Sequence, residues 1–325
     1  MTNRFRSVAL FLAATSVASA APALRVSGPF THENLSIFLV HSSQPQASRP
    51  RLLTLKEAIE TKRVTVFETG SVGELAIENQ SSEEVYIQAG EIVKGGRQDR
   101  VLTTDLLLPP HSGKLPISSF CVEQGRWSQR GNEAAAHFNA SSAMVPTKSL
   151  KMAVREQNAQ SRVWDEVANT QGKLRASSGS ATQASPTSMQ LTLESKPVVD
   201  ATAAYVRALA KVAEGKADVV GFLYAINGEL NSGDVYGSTD LFRRMWPKLI
   251  EACATEAVAE RGRAGKAPPA AAAVKQALTD AASGRESEKK NAGSLVVTRQ
   301  ESAKMLLFES RDRAGAPVHQ SVVVK

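Results

Sequence analysis

Cysteine is scarce in this chain: Cys121 and Cys253 are the only two in 325 residues. Two thiols so far apart make no disulfide framework, and neither belongs to a Cys-x-x-Cys pair. No His-x-x-x-His or His-x-His pair accompanies them, so no metal motif is visible. Aromatic residues are few, at 5%, and no run past the first twenty residues approaches a membrane span in length. The Gly-x-Ser-x-Gly elbow, the P-loop and the Rossmann glycine fingerprint are all missing, and His32-Glu33 lacks the second histidine of a zincin. What remains is an ordinary globular composition, 42% hydrophobic and 22% charged, which excludes collagen, coiled coil and disorder throughout.

The beginning of the chain is read as a targeting segment. Arg4 and Arg6 precede an apolar run, Val8 to Val17, that is too short for a membrane helix and ends in Ala18-Ser19-Ala20. This pattern predicts a signal peptide over residues 1–20, cleaved near Ala20, and an exported protein, most simply bacterial and periplasmic or secreted. Removing Arg4 and Arg6 takes the formal charge from +7 to +5. Residues 261–293 hold seven basic and three acidic residues, leaving the rest of the chain almost neutral. The basic balance therefore sits in one linker-like stretch, and no nucleic-acid-binding face is predicted.

From Leu24 to Trp127 the pattern is short extended segments with turns between. Leu35–Val40 and Val64–Glu68 are extended, and Leu53–Thr61 reads as a short helix. Leu75 and Ile77 alternate with Glu74, Ala76 and Glu78, while Val101–Leu108 and Leu115–Glu123 read as two more strands. Lys148–Thr170 reads as a surface helix with a polar middle, and residues 171–190 as a loop with nothing to bury. Pro197 opens another helix. Val219–Ile226 reads as a buried strand ending in the hairpin signal Asn227-Gly228, after which Asn231–Asp234 reads as loop. Ser238 starts the clearest amphipathic helix, with Leu241, Phe242, Met245, Trp246, Leu249, Ile250, Cys253 and Ala257 on one face. Cys253 is thus read as a buried, inert thiol, and Pro247 as a kink or restart. Residues 261–293 read as a mobile insertion with a short helix over Ala270–Ala282, and three strands close the chain.

Chemistry is sought in two segments. Gly90-Glu91-Ile92-Val93-Lys94-Gly95-Gly96-Arg97-Gln98-Asp99-Arg100 combines a flexible Gly95-Gly96 turn with arginines suited to gripping a phosphate or carboxylate. A hairpin turn with solvated charges is the plain alternative. Cys121-Val122-Glu123-Gln124-Gly125-Arg126-Trp127 offers an acceptor, a cation and a stacking plate; its alternative is that Trp127 caps the core and Glu123 pairs structurally. Cys121 as a nucleophile would need a base from His111 or His137.

These two segments, with Val220-Gly-Phe-Leu-Tyr-Ala-Ile-Asn-Gly228 and the Leu241-Phe-x-x-x-Trp-Pro-Lys-Leu249 stretch, resemble the family of ARG and Rhodanese-Phosphatase-superfamily-associated proteins, ARG being ADP-ribosylglycohydrolase. The resemblance covers most of the chain in the same order. It implies an association with ADP-ribose and phosphate metabolism, an activity not itself characterised, and a shared surface that includes Gly90, Glu91, Gly95, Gly96, Arg97, Gln98, Arg100, Glu123, Gly125, Arg126 and Trp127.

The resulting expectation is one α+β domain over residues 21–325. It has a mainly antiparallel, sandwich-like N-terminal half, an inserted helical layer and C-terminal strands, with mobile loops near 171–190 and 261–293. Gly95, Gly96, Arg97, Gln98, Arg100, Glu123, Arg126 and Trp127 would bind a small anionic, nucleotide- or ADP-ribose-like ligand, with no cofactor, no metal and no membrane span. One alternative is a hydrolase using Glu91 or Glu123 as general base. Another is an envelope structural or protein-interaction module in which the glycine turn only folds the sheet.

Overall fold

The computed structural model describes residues 23–44, 51–156, 159–178 and 187–325; the signal peptide expected over residues 1–20 lies outside them. The chain opens with a hairpin, β1 (Leu24–His32) and β2 (Leu35–Ser42), followed by β3 (Leu53–Thr54) and α1 (Leu55–Glu60). Next come β4 (Val64–Phe67), β5 (Glu74–Asn79), β6 (Val85–Ile87), β7 (Glu91–Gly95), β8 (Arg100–Leu102), β9 (Leu106–Leu108), β10 (Gly113–Cys121) and β11 (His137–Met144). A helical stretch holds α2 (Lys148–Glu156), α3 (Gln160–Ser178), α4 (Met189–Glu194) and α5 (Lys196–Leu209). The remainder is β12 (Val219–Ile226), β13 (Glu229–Tyr236), α6 (Thr239–Ala259), α7 (Ala271–Ala282), β14 (Arg285–Ala292), β15 (Leu295–Glu301), β16 (Met305–Asp312) and β17 (Pro317–Val324).

This is an α+β protein with antiparallel sheets, as the pattern predicts. The N-terminal half is not a sandwich, however. β10, β5, β4, β11, β7 and β8 close into a small antiparallel barrel, and β3, β6 and β9 form a separate three-stranded sheet. Short strands supply its filling: Val64, Val66, Leu75, Ile77, Val93, Leu102, Ile117 and Phe138 all belong to one buried apolar cluster. The hairpin β1–β2 leaves this half altogether. It joins the later strands in an eight-stranded antiparallel sheet ordered β1-β2-β12-β13-β17-β16-β15-β14.

The central strands of that sheet are covered on both faces. Leu35, Ile37, Leu39, Phe222, Tyr224 and Ile226 share a core with the stripe of α6 and with α2, α3 and α5. Phe38, Val40, Leu223 and Ala225 on the reverse face pack with Val274, Leu278 and Ala281 of α7. Two-sided burial explains why β12 reads as a continuous apolar run rather than an alternation. Ser238 caps α6 by accepting the Leu241 N–H at 3.2 Å, and the helix continues through Pro247 instead of restarting there. Trp246 and Leu249 are buried around that proline, so packing holds a helix whose backbone lacks one donor.

Several local expectations are corrected. Lys148–Thr170 is two helices, and neither is a surface helix: Leu150, Val154, Val163 and Val167 are buried. Residues 171–178 continue α3, while Met189 and Gln190 are buried in α4, so the described parts of residues 171–190 are not an unpacked loop. Asn231–Asp234 belongs to β13, where Ser232 and Asp234 turn inward. Within the supposed insertion, α7 lies where expected, but residues 285–292 form the edge strand β14, paired with β15. Val101–Leu108 breaks at Thr103–Asp105, because Asp105 is drawn into the interior.

That break builds the buried link between barrel and sheet. Asp105 Oδ2 lies 2.7 Å from His319 Nδ1, and Asp234 Oδ1 lies 3.0 Å from His319 Nε2. Two carboxylates have no hydrogens to give, so both ring nitrogens must donate and His319 is an imidazolium. Burial works against that charge, yet Asp105 and Asp234 hold the His319 pKa above its ordinary value. Burial likewise opposes the Asp105 charge, and His319 with Arg155 outweighs it, keeping the carboxyl well below the usual range. Ser310 and the Ala89 N–H complete the acceptor set of Asp105 at 2.7 and 2.9 Å.

Candidate functional site

One end of the barrel gathers three segments: residues 96–99 between β7 and β8, the residues after β4, and the crossing from Cys121 to Ala136. The first turn requires glycine. Gly95 and Gly96 have φ of +125° and +55°, and a Cβ on Gly96 would strike the Phe138 ring and come within 2.9 Å of a Glu68 carboxylate oxygen. The turn is therefore seated directly on the barrel's apolar filling.

Asp99 anchors this end from beneath the surface. It accepts the Gly95 N–H at 3.0 Å, the Ser188 hydroxyl at 3.2 Å and a two-pronged grip from Arg130 at 2.8 and 3.0 Å. Such fork-to-carboxylate pairing fixes geometry as well as charge. Arg130 also bonds Glu133 at 2.9 Å. Arg126 donates to Glu123 Oε2 at 2.7 Å, to the Ser128 carbonyl at 2.7 Å and to the Gly96 carbonyl at 3.2 Å. Arg126 and Arg130 are thus occupied with protein acceptors.

Arg100 is different. Its side chain is fully buried, and Nη1 donates to Gln98 Oε1 at 3.2 Å and touches Cys121 Sγ. Its Nε and Nη2 have no hydrogen-bond partner. These two form the side-on edge of the guanidinium, the edge that takes a carboxylate or phosphate with two parallel bonds. The nearest carboxylate there, Glu68, stands 3.5 Å from Nη2, and its oxygens accept the Arg97 N–H at 3.1 Å and the Gly70 N–H at 2.9 Å. The Trp127 ring, 42% exposed, covers this spot, with the Arg100 and Arg97 guanidinium carbons 5.5 and 5.4 Å from its centroid. Arg97 itself is exposed. Gln160, the first residue of α3, exchanges hydrogen bonds of 2.8 Å in both directions with the Cys121 backbone and so pins the strand under Arg100.

Gly95, Gly96, Arg97, Gln98, Arg100, Glu123, Arg126 and Trp127 are therefore brought to one place. Glu91 is not: it begins β7 and Gly95 ends it, about 13 Å away at roughly 3.3 Å per residue. Glu91 is completely buried, ion-paired to Lys248 at 2.6 Å, and accepts the Gln88 N–H at 2.8 Å. Glu123 is held by Arg126, with Arg130 at 3.5 Å. Neither carboxylate stands free as a base. Burial pushes the Cys121 thiol up to about 11 against the pull of Arg100, and the His137 ring packs on Phe67 instead. Cys121 and Cys253 are both free and buried.

Glu68, Asp99, Arg130, Gln160 and Ser188 were not picked out as site residues. Asp99 stood inside a quoted motif, but the others lie up to 89 residues from Asp99 and only the fold assembles them. Among the described residues no group of His, Cys, Asp and Glu could hold a metal, and no helix is long and apolar enough to cross a membrane.

Comparison with known proteins agrees with the motif resemblance. The family model for the ARG and Rhodanese-Phosphatase-superfamily-associated Protein domain matches residues 23–323, nearly the whole chain, and the chain belongs to that family. No curated protein and no solved structure matches it.

Proposed function

We propose that this family member binds a small anionic, nucleotide- or ADP-ribose-like ligand at the barrel end. The free edge of Arg100 takes the anion, Arg97 adds charge from the surface, and Trp127 moves from its place over Arg100 to stack on the ligand. One observation carries the reading: a fully buried arginine whose bidentate edge makes no hydrogen bond, its nearest carboxylate, Glu68, standing 3.5 Å away. Leaving charged donors unpaired in the interior costs free energy, and an arriving phosphate or carboxylate would satisfy both at once. The saturated state of Arg126, Arg130 and Asp99 supplies a rigid frame for that event.

The test is titration with inorganic phosphate and with ADP-ribose, read by tryptophan fluorescence and melting temperature. A ligand at a hundred times its dissociation constant stabilises by about 2.7 kcal/mol. The fluorescence response should vanish in Trp127→Phe, and Arg100→Gln should weaken binding at least tenfold. Unchanged fluorescence and melting temperature at millimolar concentrations of both ligands would overturn the proposal.

The protein is also proposed to be exported. Mass measurement of the protein recovered from the cell envelope or medium should give a chain beginning near Ala21. An uncleaved N-terminus in a cytosolic protein would refute export.

A further inference from the structure

A second cleft lies at the opposite end of the barrel, between the Thr103–Asp105 connection and β14–β16. Its lining includes Arg155, Lys290, Thr298, Arg299 and Phe308. Arg155 comes from α2 and its side chain is only 7% exposed. The guanidinium lies over the Phe308 ring, its central carbon 4.8 Å from the centroid. The one carboxylate within 4 Å among the described residues is Asp105, whose Oδ1 stands 3.7 Å away, too far for a hydrogen bond. Asp105 is turned to other donors, with Oδ1 accepting from the Ala89 N–H and Oδ2 from Ser310 and His319. Among the described residues Arg155 thus donates no side-chain hydrogen bond, yet it faces a cleft. Arg299 adds a buried Nε without a partner, while its Nη2 reaches Glu301 at 3.3 Å.

We propose that this cleft is a second binding site, for a phosphate-sized oxyanion, with Arg155 as the buried cation and Arg299 and Lys290 at the rim. The charge count favours an anion. The lining sets three cations, Arg155, Lys290 and Arg299, against two acids, Asp105 and Glu288, and His319 adds further positive charge behind Asp105. The site is built independently of Arg100, on other strands and another helix.

The experiment uses the full-length protein carrying Arg100→Gln, so that failure of the first site leaves the second testable. Inorganic phosphate is titrated while the melting temperature is followed. Phosphate should still raise it, adding Arg155→Gln should weaken the response at least tenfold, and adding Arg299→Gln instead should weaken it severalfold. Should the Arg155→Gln protein fail to fold, the Arg299→Gln response decides alone. No phosphate response in the Arg100→Gln protein, or one that Arg155→Gln and Arg299→Gln leave unchanged, overturns the proposal.

Discussion

The two ends of the barrel hold buried ionic clusters of opposite character. At the Asp105 end, His319 uses both nitrogens on carboxylates, and Asp105 collects three hydrogen bonds besides facing Arg155. At the Gly96 end, Asp99 is equally saturated, but Arg100 beside it keeps two donors without partners. The difference separates the His319, Asp105 and Asp234 cluster, which holds the fold together, from arginine edges that wait for a partner, Arg100 here and Arg155 in the cleft beside the other cluster. A saturated buried cluster leaves nothing for a ligand to gain, whereas an orphaned one does.

Breaking the saturated cluster should have the largest effect. His319→Ala leaves Asp105 and Asp234 facing each other with no cation between them, and removing one partner of a buried charge pair costs about 3–5 kcal/mol. Urea unfolding measures it, and a loss below about 1 kcal/mol would show that the link between barrel and sheet is not structural. Its pH dependence follows from the directions of the shifts. The His319 pKa is raised, so its contribution is complete below the unfolded histidine value of about 6.5 and is lost as pH rises through the higher folded value. Asp105 and Asp234 are lowered, so theirs is present above about 3.9 and is lost as pH falls through their folded values. The stability gap between wild type and His319→Ala should therefore narrow at both alkaline and strongly acidic pH. A gap independent of pH would remove the imidazolium from the account.

Asp99→Asn sharpens the comparison at the other end. It keeps one acceptor but turns an amide toward the Arg130 fork, and hydrogen bonds to charged groups are worth about 1.5–3 kcal/mol. A loss of that size, with altered Trp127 emission, is expected in unfolding and fluorescence measurements. An unchanged Trp127 signal would show that Asp99 does not set the position of the covering ring.

How far the sequence reveals this depends on where each residue's partners lie. The stripe of α6 and the alternation of β5 were legible because their pattern reflects one covered face. β13 was hidden because its inward residues, Ser232 and Asp234, are polar and look like a turn until His319 and Tyr224 meet them. β14 was hidden for the converse reason. As an edge strand with mostly exposed side chains, Arg285–Ala292 carries charge where an inner strand would carry valine. Of the barrel-end site, the two glycine-arginine segments were visible locally. Their division into engaged arginines (Arg126) and an unengaged one (Arg100) was not, since it depends on Glu123, the Gly96 carbonyl and Trp127 meeting in space.

The smallest expected effect is the most diagnostic. Arg100→Met keeps much of the side-chain volume and removes two unpaired buried donors, at the cost of the Gln98 hydrogen bond. Replacing a buried charge whose hydrogen bonds are mostly unmade by an apolar group of similar shape is close to neutral, and Glu68 keeps the Arg97 and Gly70 N–H donors, so stability without ligand should stay within about 1 kcal/mol of wild type. Arg130→Met, at an arginine that is 19% exposed but fully engaged with Asp99 and Glu133, should instead lose about 3 kcal/mol, because it takes the two-pronged cationic grip from a completely buried carboxylate. The pair of variants reads the same chemistry in two settings a few ångströms apart. If both lose the larger amount, Arg100 is a structural arginine like its neighbours, and the barrel end holds no vacancy for an anion. If only Arg130→Met does, the free edge of Arg100 contributes little to folding, which leaves ligand binding as the reason a cation is held there.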